Sequence, residues 1–232
     1  MLYLIGAGLK KGDITLNAVE ALENCQKIYA ERYTGHMDVE YIQDFIHKEI
    51  IVLDRTKVES NFLQEEAKES TIALLTPGDP LTATTHIELM IEAKRQGVEI
   101  EIIHAPSIFT AVAECGLQLY KFGRTATLAR PQPNYSPDSP YDVIVENKKS
   151  GLHSLLLLEI DMPAKEAISI LKIIETKKDG NVLNEKIIAI HFDEKTEIQY
   201  ENADLLYLPA PCCLIIPGNM HFKEEEALSL WS

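Results

Sequence analysis

Three short segments combine residues suited to holding a reactive small molecule against backbone. Gly6-Ala7-Gly8-Leu9 has two glycines, which let N–H groups approach a ligand closely, ahead of a helix whose N-terminal end is electropositive. As a dinucleotide fingerprint it is incomplete, because the third glycine of GxGxxG falls at Lys11 and Glu31 is a loose match to the ribose-binding acid. A tight structural turn and a cofactor loop are comparable readings of such a pair. Thr76-Pro77-Gly78-Asp79-Pro80 is more constrained. Its prolines stiffen the chain, Gly78 permits a tight turn, and Asp79 offers a carboxylate to an ammonium or a hydroxyl. Asp79 as a turn residue bonding its own backbone is the competing reading. The third segment is Ala105-Pro106-Ser107-Ile108, where helix capping by Ser107 is the plainer explanation.

Other constellations are weaker. There is no GxSxG elbow and no HExxH, so acyl hydrolysis and zinc proteolysis find no support. His86, His104 and His191 each read as structural histidines, and His191 with Asp193 is too sparse for a metal, so no metal site is expected. Cys25, Cys115, Cys212 and Cys213 form no CxxC pair and read as reduced, mostly buried thiols, with Cys212 and Cys213 on opposite faces of a strand. The run Glu224 to Glu226 reads as a solvated face.

The elements that must position these segments alternate from the start. Apolar runs at Leu2 to Ile5, Ile28 to Ala30, Ile50 to Leu53, Ile72 to Leu75 and Val98 to Ile103 predict five strands. Between them lie helical patterns: one capped by Thr15, then Val39 to Ile46, Val58 to Ala67, and a helix with capping-box spacing at Thr85 and Glu88 whose apolar face is Ile87, Met90 and Ile91. Strands apolar on both faces and separated by helices predict an open, mostly parallel α/β sheet. A second set of strands is expected at Thr125 to Leu128, Leu155 to Leu158, Ile187 to Ile190 and Leu214 to Ile216, with a helix at Ala164 to Glu175. Four prolines make Arg130 to Tyr141 a predicted surface loop. Two α/β domains follow, residues 1–106 and 107–232, and the three segments fall at carboxyl ends of strands, where such folds bind ligands.

The whole chain carries 22 basic and 36 acidic side chains among 232 residues, a net charge of −14. Divided at His104, the two halves carry −8 and −6, so neither is a basic module. Nucleic-acid affinity rests on neutralising phosphates, which this balance excludes. The N-terminus has no basic region before its short apolar run, and no apolar stretch is long enough for a membrane span, so a soluble, cytoplasmic protein is expected.

Several segments in order resemble one family: Leu2 to Leu9, Asp13-Ile14-Thr15, Thr76 to Leu81 with Ala83-Thr84-Thr85-His86, His104 to Ile108, Gly116 to Gly123 (GLQLYKFG) and Gly151 to Leu156 (GLHSLL). The chain resembles the diphthine synthase family of the tetrapyrrole methylase superfamily, strongly over residues 1 to about 160. The resemblance implies a two-domain tetrapyrrole-methylase-like α/β fold with mostly parallel open sheets and the active site in the interdomain cleft. It implies a homodimer that uses S-adenosyl-L-methionine to methylate the amino group of the aminocarboxypropyl-histidine of translation elongation factor 2, in diphthamide biosynthesis. Carried over by position, the cofactor contacts would be Leu9, Asp79, Thr82, Ser107, Ile108 and Leu158. Two departures border the same site: His191-Phe192-Asp193-Glu194 where the family has an Ala-Arg-Ala/Val-Gly run, and Cys212 where it usually has a His. Asp193 and Cys212 therefore join the candidate contacts.

Methyl transfer from a sulfonium needs alignment and exclusion of water more than an acid or base, which suits a sequence with no evident dyad. No catalytic residue is assigned, since an α-amino group titrates near roughly 8 in model compounds and can lose its proton to water. The loop around Tyr120, Lys121, Arg124 and Arg130 is expected to meet the substrate's carboxylate. Two other readings stay open: a methyltransferase of the same superfamily acting on a corrinoid or other small molecule, and a catalytically silent cofactor-binding dimer.

Overall fold

A computed structural model describes residues 1–133 and 135–231. The chain divides into two compact units, Met1–Ala111 and Val112–Ser232. In the first unit β1 (Leu2–Gly6), β2 (Lys27–Glu31), β3 (Ile50–Leu53), β4 (Ile72–Thr76) and β5 (Ile100–Ile103) form a sheet ordered β3-β2-β4-β1-β5, with every pairing parallel. The pleat explains why these runs are apolar throughout. Ile5, Ala73 and Leu75 pack on one face with Ala18, Leu22 and Ile42, while Leu2, Leu4, Ile72 and Leu74 pack on the other with Leu63, Leu89 and Ala93. Helix Leu16–Asn24 starts where Thr15 accepts the Ala18 N–H at 3.2 Å, and helix Val39–Ile46 where Asp38 accepts the Tyr41 N–H at 2.9 Å.

Two expectations in this unit need correction. The pattern Val58 to Ala67 is not one helix but the end of Arg55–Val58 and most of Phe62–Glu69. The break falls at Ser60, whose hydroxyl donates to the Lys57 carbonyl (2.7 Å) and accepts the Phe62 N–H (3.3 Å), so a short polar side chain takes over helical backbone bonds. The Thr85–Glu88 capping box does not form. Helix Ile87–Arg95 begins after His86, because Thr84 donates to the Pro80 carbonyl at 2.6 Å and holds the preceding residues in the loop. The face that packs on the sheet also differs from the expected Ile87, Met90 and Ile91: Leu89 and Ala93 are buried, Met90 and Ile91 half-buried and Ile87 exposed.

In the second unit β6 (Ala126–Leu128), β7 (Ser154–Leu158), β8 (Ile187–Phe192), β9 (Thr196–Glu201) and β10 (Cys212–Ile216) are ordered β6-β7-β10-β8-β9. The first pair is parallel and the other three antiparallel, so both units are α/β, the first sheet wholly parallel and the second mixed. Helices Ser139–Lys149 and Ala164–Lys177 bury Tyr141, Ile144, Ile168, Leu171 and Ile174 in this unit's core. Arg130 to Tyr141 is therefore not loop throughout. Pro140 sits in a first helical turn, where its missing N–H costs nothing, and Tyr141 is buried with its hydroxyl on Glu175 at 3.0 Å. Asn134, within that stretch, lies outside the described residues.

All four thiols are free. Burial pushes Cys25, Cys115 and Cys212 up to about 11 and Cys213 higher still, which leaves them as unreactive thiols at neutral pH. Among the described residues no helix is long and apolar enough to cross a membrane.

Candidate functional site

β4, β1 and β5 are neighbours, so the loops leaving their carboxyl ends are neighbours too. The first two are bonded to each other: Gly8 N–H donates to the Gly78 carbonyl at 3.1 Å and Gly78 N–H to the Gly8 carbonyl at 2.8 Å. Gly8 (φ +78°) and Gly78 (φ +63°) both occupy the left-handed region that a side chain disfavours. Gly6 is required for a different reason. A Cβ there would lie 2.5 Å from the Gly78 carbonyl oxygen and 2.8 Å from the Ala105 Cβ, so it is the point where all three loops meet.

The first loop does not offer its amides to an anion. The Asp13 carboxylate already accepts Leu9 N–H at 2.9 Å and Lys10 N–H at 3.0 Å, placing negative charge where a pyrophosphate would have to sit. Glu31 is equally committed. It is buried and accepts the N–H groups of Tyr33 (2.9 Å) and Thr34 (3.0 Å) and the Thr34 hydroxyl, so it is no ribose acceptor. The dinucleotide alternative is thereby set aside.

Asp79 organises the second and third loops. Its Oδ1 accepts Leu81 N–H (3.0 Å) and the Thr82 hydroxyl (3.1 Å), and its Oδ2 accepts Ala105 N–H at 3.4 Å and lies 2.6 Å from His104 Nδ1. The turn-forming reading of Asp79 is thus what the geometry displays, with the addition of a clip to the next strand end. The carboxylate side chain is 9% exposed, whereas the imidazole it holds is 68% exposed. Ser107 caps nothing through its side chain; instead Thr110 Oγ1 accepts Ser107 N–H at 3.3 Å and donates to the Ser107 carbonyl at 3.0 Å. Leu9, Thr82 and Ile108 are half-buried beside these bonds. Behind the second loop His86 is buried between the Pro80 carbonyl (Nδ1, 3.2 Å) and the Tyr33 hydroxyl (Nε2, 3.3 Å), and burial pushes its pKa down.

The remaining candidates lie in the second unit, at one edge of its sheet. Cys213 pairs with Leu157, which sets Leu158 beside Cys212, and Cys212 pairs with His191 on the other side. Asp193 follows in the exposed turn between β8 and β9. Arg130 leaves β6 at the same edge, already bonded to Glu159 (2.7 Å), Asp161 (2.6 Å) and Glu166 (2.6 Å). Its expected role toward a substrate carboxylate loses support, since its charge is answered by three carboxylates. Tyr120 is 80% exposed and Arg124 is exposed beside Glu146.

Lys121 is also committed, and to a residue read incorrectly from sequence. Glu224 is buried, not solvated. Its carboxylate accepts Gln118 N–H (2.9 Å), His221 N–H (2.7 Å), the Lys121 ammonium and His153 Nε2 (3.1 Å). Gly218 N–H donates to His153 Nδ1 at 2.9 Å, which assigns the ring hydrogen to Nε2. Burial alone would raise the Glu224 pKa, but the His221 N–H, the Lys121 ammonium, the Gln118 N–H and His153 hold it down at about 2. The LYKFG and GLHS segments thus meet on one buried carboxylate. Sequence reasoning missed this cluster and also the His104 partnership, since the residues that pair are distant along the chain.

The family model for Tetrapyrrole (Corrin/Porphyrin) Methylases matches residues 1–183. A curated diphthine synthase of Methanococcus aeolicus is 44% identical over 98% of this chain and 96% of its own length, and one of Methanocaldococcus jannaschii is 42% identical over 98% and 97%. A solved diphthine synthase structure superposes with a TM-score of 0.90 at 28% identity, covering all of this chain and 96% of the other. A solved Entamoeba histolytica protein provisionally given the same name has a TM-score of 0.90 at 30% identity, over 100% and 98%.

Proposed function

We propose, from the premise that this chain belongs to the tetrapyrrole methylase family and within it to the diphthine synthases, that it transfers methyl groups from S-adenosyl-L-methionine to the amino group of the aminocarboxypropyl-histidine of translation elongation factor 2. The chain is a methyltransferase of that family, and identity of 44% across 98% of its length is the observation that carries the reading. The protein works in the cytoplasm as a homodimer with the elongation factor as its protein substrate. Its net charge of −14 suits a partner with a basic surface and a cationic ligand, and offers nothing to nucleic acid.

The residues at the strand ends fit such a cofactor. Half-buried Leu9 and Ile108 supply apolar walls, Thr82 and Ser107 supply hydroxyls, and Asp79 keeps the second and third loops in register. In the second unit, taken by itself, Leu158, Cys212 and Asp193 are the candidate cofactor contacts, at neighbouring strand ends and the turn that follows. When bound, S-adenosyl-L-methionine supplies a methyl group activated by a sulfonium. The chain's own contribution is alignment: glycine-dependent loops tied to one another hold a fixed geometry, and alignment of two reactants is worth roughly 7 to 11 kcal/mol of a barrier. The attacking amine must be unprotonated when it meets the methyl group.

Incubating the purified protein with methyl-labelled cofactor and elongation factor carrying the unmethylated precursor is expected to label the factor. Calorimetry with S-adenosylhomocysteine is expected to show binding. Binding without labelling would overturn the substrate and leave a small-molecule methyltransferase or a catalytically silent cofactor-binding dimer. No binding would overturn the enzyme reading altogether.

A further inference from the structure

We propose that His104 is the proton acceptor for the substrate's amino group, oriented by Asp79, so that the second loop's carboxylate acts on the reaction through the imidazole of the third. The inference rests on the amine-methylating reading above. Asp79 Oδ2 faces Nδ1 at 2.6 Å, so with the carboxylate ionised Nδ1 carries the ring hydrogen and Nε2 is left with its lone pair. Every other bond of Asp79 is internal to the loops, to Leu81, Thr82 and Ala105, and its side chain is 9% exposed. The carboxylate is thus turned inward, and the group displayed at the strand ends is an imidazole 68% exposed. A buried carboxylate fixing the tautomer and orientation of an exposed imidazole is the arrangement general-base catalysis requires.

The surroundings leave Nε2 available. The ionisable side chain bonded to His104 is Asp79. Among the described residues, Glu101 on β5, and Glu88, Glu92, Lys94 and Arg95 on the helix packed against β5, make no bond to the imidazole. In the step itself, a proton leaves the substrate's ammonium for Nε2, giving an imidazolium paired with Asp79. The freed electron pair on nitrogen then forms the N–C bond as the methyl–sulfur bond breaks, and the imidazolium returns its proton to water. A further methylation would need the same relay, because each transfer to an amine that still bears hydrogen yields an ammonium.

The test is His104→Asn, whose side-chain N–H can replace Nδ1 in the bond to Asp79 while removing the Nε2 acceptor. Expected are S-adenosylhomocysteine affinity within about two-fold of wild type, an unchanged thermal midpoint, and turnover reduced about 100-fold or more at neutral pH, with the variant's rate recovering only toward alkaline pH as the substrate amine loses its own proton to water. Nitrogen NMR of the wild type is expected to show His104 as the Nδ1–H tautomer, and Asp79→Asn to convert it to the Nε2–H form. Wild-type turnover and an unaltered pH profile in His104→Asn would overturn the proposal. So would a loss of S-adenosylhomocysteine binding as large as the loss of rate, which would make His104 a cofactor contact. If the wild type itself binds the ligand but methylates no amine, the functional reading has failed, while the tautomer result still judges the pairing.

Discussion

Two of the histidine–carboxylate pairs among the described residues, His153–Glu224 and His104–Asp79, have nearly the same chemistry in opposite surroundings. His153 and Glu224 are both buried, at 0% and 1% side-chain exposure, and both ring nitrogens of His153 are occupied, Nδ1 by the Gly218 N–H and Nε2 by Glu224. His104 and Asp79 differ in one respect: the carboxylate is buried but the imidazole is not, and one of its nitrogens is bonded. A fully satisfied pair can do nothing but hold structure, joining the segments around Gln118, His153 and His221. A half-satisfied pair keeps a lone pair for something else. The contrast shows that residue identity does not separate architecture from chemistry; the count of ring nitrogens already spoken for does.

The largest effect is expected where the buried pair is broken. Glu224→Ala takes the acceptor from two backbone N–H groups and the buried counter-charge from the Lys121 ammonium, which keeps only the Asn219 carbonyl, and a loss of about 3–5 kcal/mol in urea unfolding is expected. A loss under 1 kcal/mol would mean that the cluster is not structural. Acid titration of stability probes the same site without mutation. The Glu224 pKa lies below its ordinary 4.5, at about 2, so its contribution of about 3 kcal/mol is fully present above 4.5 and is lost as pH falls toward 2. His153 and His86 are pushed below their ordinary 6.5 by burial, so they favour the folded state above 6.5 and stability begins to decline as pH drops below it. Circular dichroism unfolding between pH 7 and 3 should show decline beginning near 6.5, and Glu224→Gln should flatten the part below 4.5.

Smaller effects are expected at the strand-end loops. Gly6→Ala forces a Cβ against the Gly78 carbonyl and Ala105, and a loss of about 1–3 kcal/mol is expected, with S-adenosylhomocysteine binding weakened more than stability accounts for. Calorimetry beside urea unfolding separates the two. The smallest change in stability belongs to His104→Asn, within about 0.5 kcal/mol in the same unfolding experiment, as for an exposed side chain outside the core. If His104→Asn destabilised the fold as much as Glu224→Ala, the distinction between the two pairs would collapse.

Much of this could be read from local pattern. The helix Val39 to Ile46 and the strand Ile50 to Leu53 are found at the predicted residues, because amphipathic spacing and runs apolar on both faces reflect burial directly. The three loops were legible for a related reason: alternation of strand and helix places the segment after each parallel strand at the carboxyl edge. β9 was not, since Thr196–Glu201 is an edge strand of half-buried residues with little apolar signal. Glu224 was misread because a run of three glutamates is locally the pattern of a solvated helix face, while the partners that bury it stand 71 and 103 residues away in sequence.

By itself, then, the sequence determined the α/β class, the strands of the first sheet and the family, all of which depend on short-range periodicity or on motifs in order. Tertiary structure decided which polar groups face each other. Asp79 and His104 stand at the ends of β4 and β5, which flank β1, and no spacing along the chain announces that neighbourhood. Burial and hydrogen-bond occupancy are properties of the packed chain, and they are what turned Glu224 into a structural anchor and left His104 with a nitrogen to use.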